Sequence, residues 1–183
     1  MILKKEFLTL AILIMVSSAM NAQSLPVNGD FEKWGSTKVP SSWRDDFKDQ
    51  DSLFSKSTDA FSGIYALKMI FVPQKPNDNR RITSKPMNLE VGKYSFSCYL
   101  KGEGQVRYVA FTKGKEKTGS KNTEFNRIGI PAIGNVVTNE WKKYTLTIEI
   151  QLAGEYHLNF GINAAGGSKA PALLMDNVSI SKL

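Results

Sequence analysis

In three stretches of this chain apolar side chains return at every second position, and that period constrains the fold more than any other feature. In KYSFSCYLKG (93–102), Tyr94, Phe96, Cys98 and Leu100 fall on one face, with Ser95, Ser97, Tyr99 and Lys101 on the other. KYTLTIEI (143–150) alternates Tyr144, Leu146, Ile148 and Ile150 with Thr145, Thr147 and Glu149. EYHLNFGI (155–162) alternates Tyr156, Leu158, Phe160 and Ile162 with His157, Asn159 and Gly161. A period of two, rich in aromatic and β-branched residues, predicts half-buried antiparallel strands. Further strands are expected at 52–56, 65–71, 81–85, 105–112 and 173–181. They are punctuated by turn signals at 62–63, 73–79, 102–104 (GEG) and 164–167. Helical periodicity is hard to find after residue 23, so the expectation is one all-β domain, a β-sandwich or barrel.

The N-terminus has a different character. Lys4 and Lys5 precede an uncharged run from Phe7 to Met20 that is short for a membrane span, and small residues follow it. A basic start, an apolar middle and a small-residue exit are the parts of a secretory signal peptide, expected to end after Ala22. Residues 23–183 then form one domain, long enough for a hydrophobic core, in a secreted, periplasmic or cell-surface setting with no further membrane span. The net charge of +7 is scattered, apart from KGKEKTGSK at 113–121, which reads as a solvated loop. A secreted chain with dispersed charge gives nucleic acid little support as a partner.

Cys98 is the only cysteine and His157 the only histidine. No intrachain disulfide can form, and zinc centres or Cys–His catalysis have almost nothing to use. Cys98 sits in an apolar alternation, where a free thiol behaves as a small buried hydrophobe.

The acids of VNGDFEKW (27–34) and MDNVSI (175–180) raise a separate question. No GxSxG or HExxH motif accompanies them, and no acid–base pair emerges, so a glycan-active hydrolase is the least favoured reading. A calcium ion takes six to eight oxygens, carboxylate and carbonyl mixed. First and last strands lying side by side would bring Glu32 and Asp176 together, and TDAFSG (58–63) offers carbonyls beside Gly63. The plainer alternative has Asp30 and Asp176 as turn or strand-end residues bonded to nearby backbone.

Several segments occur in a telling order: Asn28-Gly29-Asp30-Phe31-Glu32, Pro40 to Trp43, Ser62-Gly63 with Tyr65-Ala66-Leu67, Gly92 to Phe96, Glu140 to Tyr144, and Met175-Asp176-Asn177-Val178. The set resembles the secreted carbohydrate-binding modules of the galactose-binding-like jelly-roll group, especially families four, nine and twenty-two. The resemblance covers nearly all of residues 23–183. It implies a jelly roll, a two-sheet antiparallel β-sandwich, with a structural calcium ion whose side-chain ligands are Glu32 and Asp176, completed by a carbonyl of the 59–63 turn, Ser62 being the candidate. It also implies that Trp43 and Trp141 pack in the core or at sheet edges, leaving Trp34 as a candidate surface aromatic. Such modules usually accompany a catalytic domain, whereas this chain contains the module and little else.

Sugars are held by aromatic faces and by planar polar groups that bridge hydroxyls, so the polar faces of the strands are the place to look. Tyr99 shares a face with Lys101, Arg107 with Phe111, and His157 with Asn159. If their strands are neighbours, Tyr99, Arg107, His157 and Asn159 converge on one ligand site. Arg80 and Arg81 form a second candidate at a sheet rim. The function these features predict is non-catalytic binding of a poly- or oligosaccharide. A structural or protein-interaction subunit, partnered by a secreted or cell-surface protein, is the alternative on the same scaffold.

Overall fold

A computed structural model describes residues 26–35, 38–45, 54–70, 80–113, 127–130, 133–163 and 172–183. The apolar N-terminal run and residues 114–121 of the lysine-rich cluster lie outside them. The described residues are all-β, and no helix among them is long and apolar enough to cross a membrane.

Among the described residues ten strands follow one another: β1 (Trp43–Asp45), β2 (Phe54–Ser57), β3 (Ala66–Ile70), β4 (Arg80–Ser84), β5 (Met87–Leu89), β6 (Gly92–Lys113), β7 (Arg127–Ile130), β8 (Gly134–Ile150), β9 (Gly154–Asn163) and β10 (Ala172–Lys182). Hydrogen bonding links them in the order β1-β4-β9-β6-β10-β3-β2, with β5 added on β9 and β7 and β8 on β6. Every pairing is antiparallel.

The 22-residue β6 makes this one curled sheet rather than two separate ones. Its first half pairs with β10 and β8, and its second half with β9 and β7. The GEG segment was expected to break the chain into two strands. Instead Gly102 and Gly104 stay in the ladder, and β6 passes from one layer to the other through register shifts at Leu100/Gly102 and Val106/Tyr108. The layers are therefore β2-β3-β10-β6-β8 and β1-β4-β9-β6-β7.

One core lies between them. Phe96, Cys98, Leu100, Leu67, Met69, Leu173 and Met175 enter it from the first layer; Ile82, Val109, Phe111, Leu158, Phe160 and Ile162 enter from the second. Each such fully buried apolar side chain contributes about 1.5–3 kcal/mol. Trp43 joins this core as the resemblance implied, its indole N–H donating to the Asn28 carbonyl at 3.0 Å. Trp34 is half-buried against the core, with the Lys56 ammonium 5.4 Å from its ring.

Candidate functional site

The two ends of the described chain meet at a turn built on Asn28. Its side chain donates to the Lys33 and Ser41 carbonyls and accepts from the Lys33 N–H, while its own φ is 56°. Asn tolerates that left-handed backbone because its short polar side chain bonds locally. The turn brings the Gly29 carbonyl to the Val178 N–H at 2.8 Å. A Cβ on Gly29 would lie 2.1 Å from the Val178 oxygen, so only glycine permits this approach.

Anchored this way, Glu32 and Asp176 face the same 58–65 loop. The N–H groups of Ile64 and Tyr65 donate to Glu32 Oε1, both at 2.9 Å. Those of Phe61 and Ser62 donate to Asp176 Oδ2 at 2.8 and 3.0 Å, and that of Asn177 donates to Oδ1 at 2.6 Å. Gly63 sits between the two donor pairs with φ +66°, and a Cβ there would lie 2.4 Å from Glu32 Oε1. Asp30 is exposed and bonds to none of the described residues.

Asp176 is fully buried. Burial pushes its carboxyl above the ordinary range, the three backbone N–H donors oppose that, and the nearby Glu32 charge adds to it. Among the described residues no lysine or arginine pairs with either acid. Glu32 Oε2 also has no hydrogen-bond partner among them. Two adjacent hard oxygen donors without a counter-cation suit a divalent ion. No group of three or more His, Cys, Asp or Glu side chains gathers among the described residues, so such an ion would take its other oxygens from backbone or water. Ser62, the candidate carbonyl donor, meets Asp176 through its N–H.

The polar face of the second layer carries three of the four expected ligand residues. Arg44, Thr83, Asn159 and Ala110 stand in register across β1, β4, β9 and β6, and directly paired residues share a face. Asn159 is only 4% exposed and fully engaged. It accepts from Thr83 Oγ1 at 2.9 Å and donates to Thr112 Oγ1 at 2.9 Å and to the His157 carbonyl at 3.2 Å. The half-buried His157 has its Nδ1 2.9 Å from the Ser84 carbonyl, which only an Nδ1–H tautomer can use. Next to it lies a cavity of about 210 Å³ lined by Trp43, Arg44, Thr83, Ser84, Lys85 and His157. Arg107 is exposed at the register shift between Val106 and Tyr108.

That shift overturns one expectation. Arg107 and Phe111 were expected on a common face, but the bulge inverts the alternation. Arg107 points to solvent and Phe111 is buried in the core.

Tyr99 stands apart from the other three. It pairs with Asp176 and Lys143 on the first layer, eight positions before Arg107, or roughly 26 Å along an extended strand. There the Phe61 ring stacks on it at 3.5 Å and 14°, and Trp141 meets Phe61 edge-on at 6.3 Å. The resemblance implied a core or edge position for Trp141, and the half-buried residue lies on this outer face of the edge strand β8.

Sequence reasoning missed Arg44, Lys85 and Phe61. β1 is three residues long, too short for a period to show, and Lys85 and Phe61 lie outside strands.

No family model and no curated protein sequence matches the chain. Solved structures do. A Bacteroides thetaiotaomicron protein described as a candidate sugar-binding protein aligns with TM-score 0.60 at 13% identity, covering 88% of this chain and 100% of that one. A family 4 carbohydrate-binding module aligns with TM-score 0.51 at 13% identity, covering 79% and 97%. The CBM22-1–GH10 modules of a Clostridium thermocellum xylanase, complexed with xylohexaose, align with TM-score 0.50 at 14% identity; 78% of this chain is covered but only 26% of the xylanase. The chain thus has the jelly-roll fold of carbohydrate-binding modules.

Proposed function

We propose that this chain is a secreted, non-catalytic module that binds a poly- or oligosaccharide on the polar face of β4, β9 and the second half of β6. The observation that carries the reading is the cavity beside His157, lined by Arg44, Lys85, His157 and the hydroxyl residues Ser42, Thr83 and Ser84, next to the Thr83–Asn159–Thr112 hydrogen-bond network. Sugar hydroxyls need such fixed donors and acceptors, and the Thr83–Asn159–Thr112 network removes the freedom that binding would otherwise have to freeze. Its lining holds no carboxylate, so it supplies no acid–base pair for glycoside hydrolysis. The carbohydrate-binding modules that share the fold support the same reading.

A structural calcium ion belongs to this proposal. Glu32 and Asp176 would hold it, with carbonyls of the 59–63 turn, and it would neutralise two acids that now rest on backbone N–H groups alone. The basic start and apolar run support export, and N-terminal sequencing of the mature protein checks cleavage after Ala22.

The test is a glycan array on the mature protein, repeated with calcium and with chelator. Saturable binding to one glycan class, weakened by His157→Ala and Arg107→Ala, is the expected result. A folded protein that binds no glycan would shift the reading to a protein-interaction scaffold.

A further inference from the structure

The outer face of the first layer carries a larger cleft, of about 370 Å³, on the side opposite the His157 cavity. Lys68, Leu174 and Lys101 lie side by side across β3, β10 and β6 and form its floor. Asp59, Thr138 and Asn139 form its walls.

Three features make this more than a crevice between strands. The ladder steps from Thr138↔Gly102 to Lys142↔Leu100, so Asn139, Glu140 and Trp141 all stand opposite Lys101 alone. Bulges of that kind re-aim side chains and gather beside binding sites. Gly102, at φ +107°, leaves the floor without a side chain, and a Cβ there would lie 2.2 Å from the Ala172 carbonyl oxygen. Lys101 fixes the Asp59 carboxylate through both oxygens, at 2.7 and 3.0 Å, leaving each oxygen further acceptor capacity.

Aromatic surface adjoins the cleft. Two residues beyond Asp59, Phe61 is 39% exposed above Tyr99. Two residues beyond Asn139, Trp141 packs edge-on to Phe61, and its indole N–H is buried with no hydrogen-bond partner among the described residues.

We infer that this cleft is a second saccharide site, taking one or two pyranose rings of a neutral, hydroxyl-rich glycan. A fixed carboxylate and a carboxamide bridge vicinal hydroxyls, the ammonium groups donate to ring substituents, and the neighbouring aromatic rings meet C–H surface. The volume lies in the lower part of the range for small-ligand pockets, roughly 300–1,000 Å³. The ligand class rests on the saccharide reading above; the location of the site does not. The 58–65 loop supplies Asp59 and Phe61, and Glu32 and Asp176 hold that loop, so the acid pair positions one wall of the cleft.

Indole resonances in a ¹H–¹⁵N correlation spectrum separate the two sites. Trp43 lines the His157 cavity and Trp141 adjoins the cleft. The full chain without its leader is titrated with xylohexaose, cellohexaose, laminarihexaose and mannohexaose in turn. With one of these sugars the Trp141 resonance is expected to move to saturation. Asn139→Ala is expected to weaken that response about tenfold, the loss of about 1.4 kcal/mol. Asn139 is exposed and its side chain bonds to none of the described residues, so its removal spares the fold. Movement at both indoles, with only the Trp141 response sensitive to Asn139→Ala, establishes two sites. Movement at Trp43 alone overturns the second site and leaves the first reading standing. Movement at Trp141 that Asn139→Ala leaves unchanged also overturns it. Stillness at both indoles with every sugar overturns both.

Discussion

At the scale of single residues, the acid-anchored loop concentrates what this fold depends on. Gly63 has a left-handed backbone and Glu32 Oε1 where a Cβ would go, so Gly63→Ala meets strain and a clash together. It is expected to lower stability by about 1–3 kcal/mol in urea unfolding; an unchanged midpoint would mean that the loop relaxes freely. Asp176 differs, because its burial is sustained by three N–H donors and, on the reading above, by an ion. Millimolar calcium should raise the wild-type melting temperature, with about 2.7 kcal/mol of stabilisation at a hundred times Kd. Asp176→Asn should abolish the calcium response, and equal melting of the wild type in calcium and EGTA would remove the ion from the account. Cys98 gives the pH prediction. Burial raises its thiol pKa above the ordinary value, so as pH rises past about 8.5 the unfolded thiol ionises while the folded one stays protonated. The thiol's contribution to stability is therefore full below that pH and falls above it. Cys98→Ala should flatten the stability profile between pH 8 and 10, and a thiol reagent should label Cys98 only as the chain unfolds.

Among the elements, β6 organises the molecule, since it pairs with β10 and β8 in the first layer and with β9 and β7 in the second. Its amides between Phe96 and Leu100, flanked by β10 and β8, should exchange slowest with solvent, and those of the edge strand β2 at least 10²-fold faster, read by hydrogen exchange. Equal protection across both would contradict the layering. The same strand marks the limit of what sequence could show. Alternation identified Phe96, Cys98 and Leu100 as core, because a period of two records which face each residue takes. It could not record which layer a strand segment enters, so Tyr99 was grouped with Arg107 although β6 carries them to different layers. Nor could it anticipate a bulge, because an extra residue is set by the partner strand; hence Phe111 was paired with Arg107. Glu32 and Asp176 were legible as neighbours because two acidic motifs sat at opposite chain ends. Their N–H partners in the 58–65 loop were not, since backbone donors leave no mark in residue type.

For the molecule as a whole, closure depends on its last strand. β10 lies in the interior of the first layer, between β6 and β3, and its Val178 N–H bonds to Gly29 near the other end of the described chain. Leu173, Met175, Val178 and Ile180 are all buried from it. At about 1.5–3 kcal/mol each they contribute roughly 6–12 kcal/mol, comparable with the whole stability of a typical domain. Removing residues 172–183 also removes Asp176, and with it the anchor of the 58–65 loop. A chain ending at residue 171 should therefore show no cooperative urea transition and no native β signal in far-ultraviolet circular dichroism. Calcium should not rescue it, because one of the two acids is gone. A truncated chain that unfolds cooperatively would show that β10 docks on a sheet already complete. Without such a sheet, folding waits for pairings between distant parts of the sequence, and topologies of that kind fold in milliseconds to seconds.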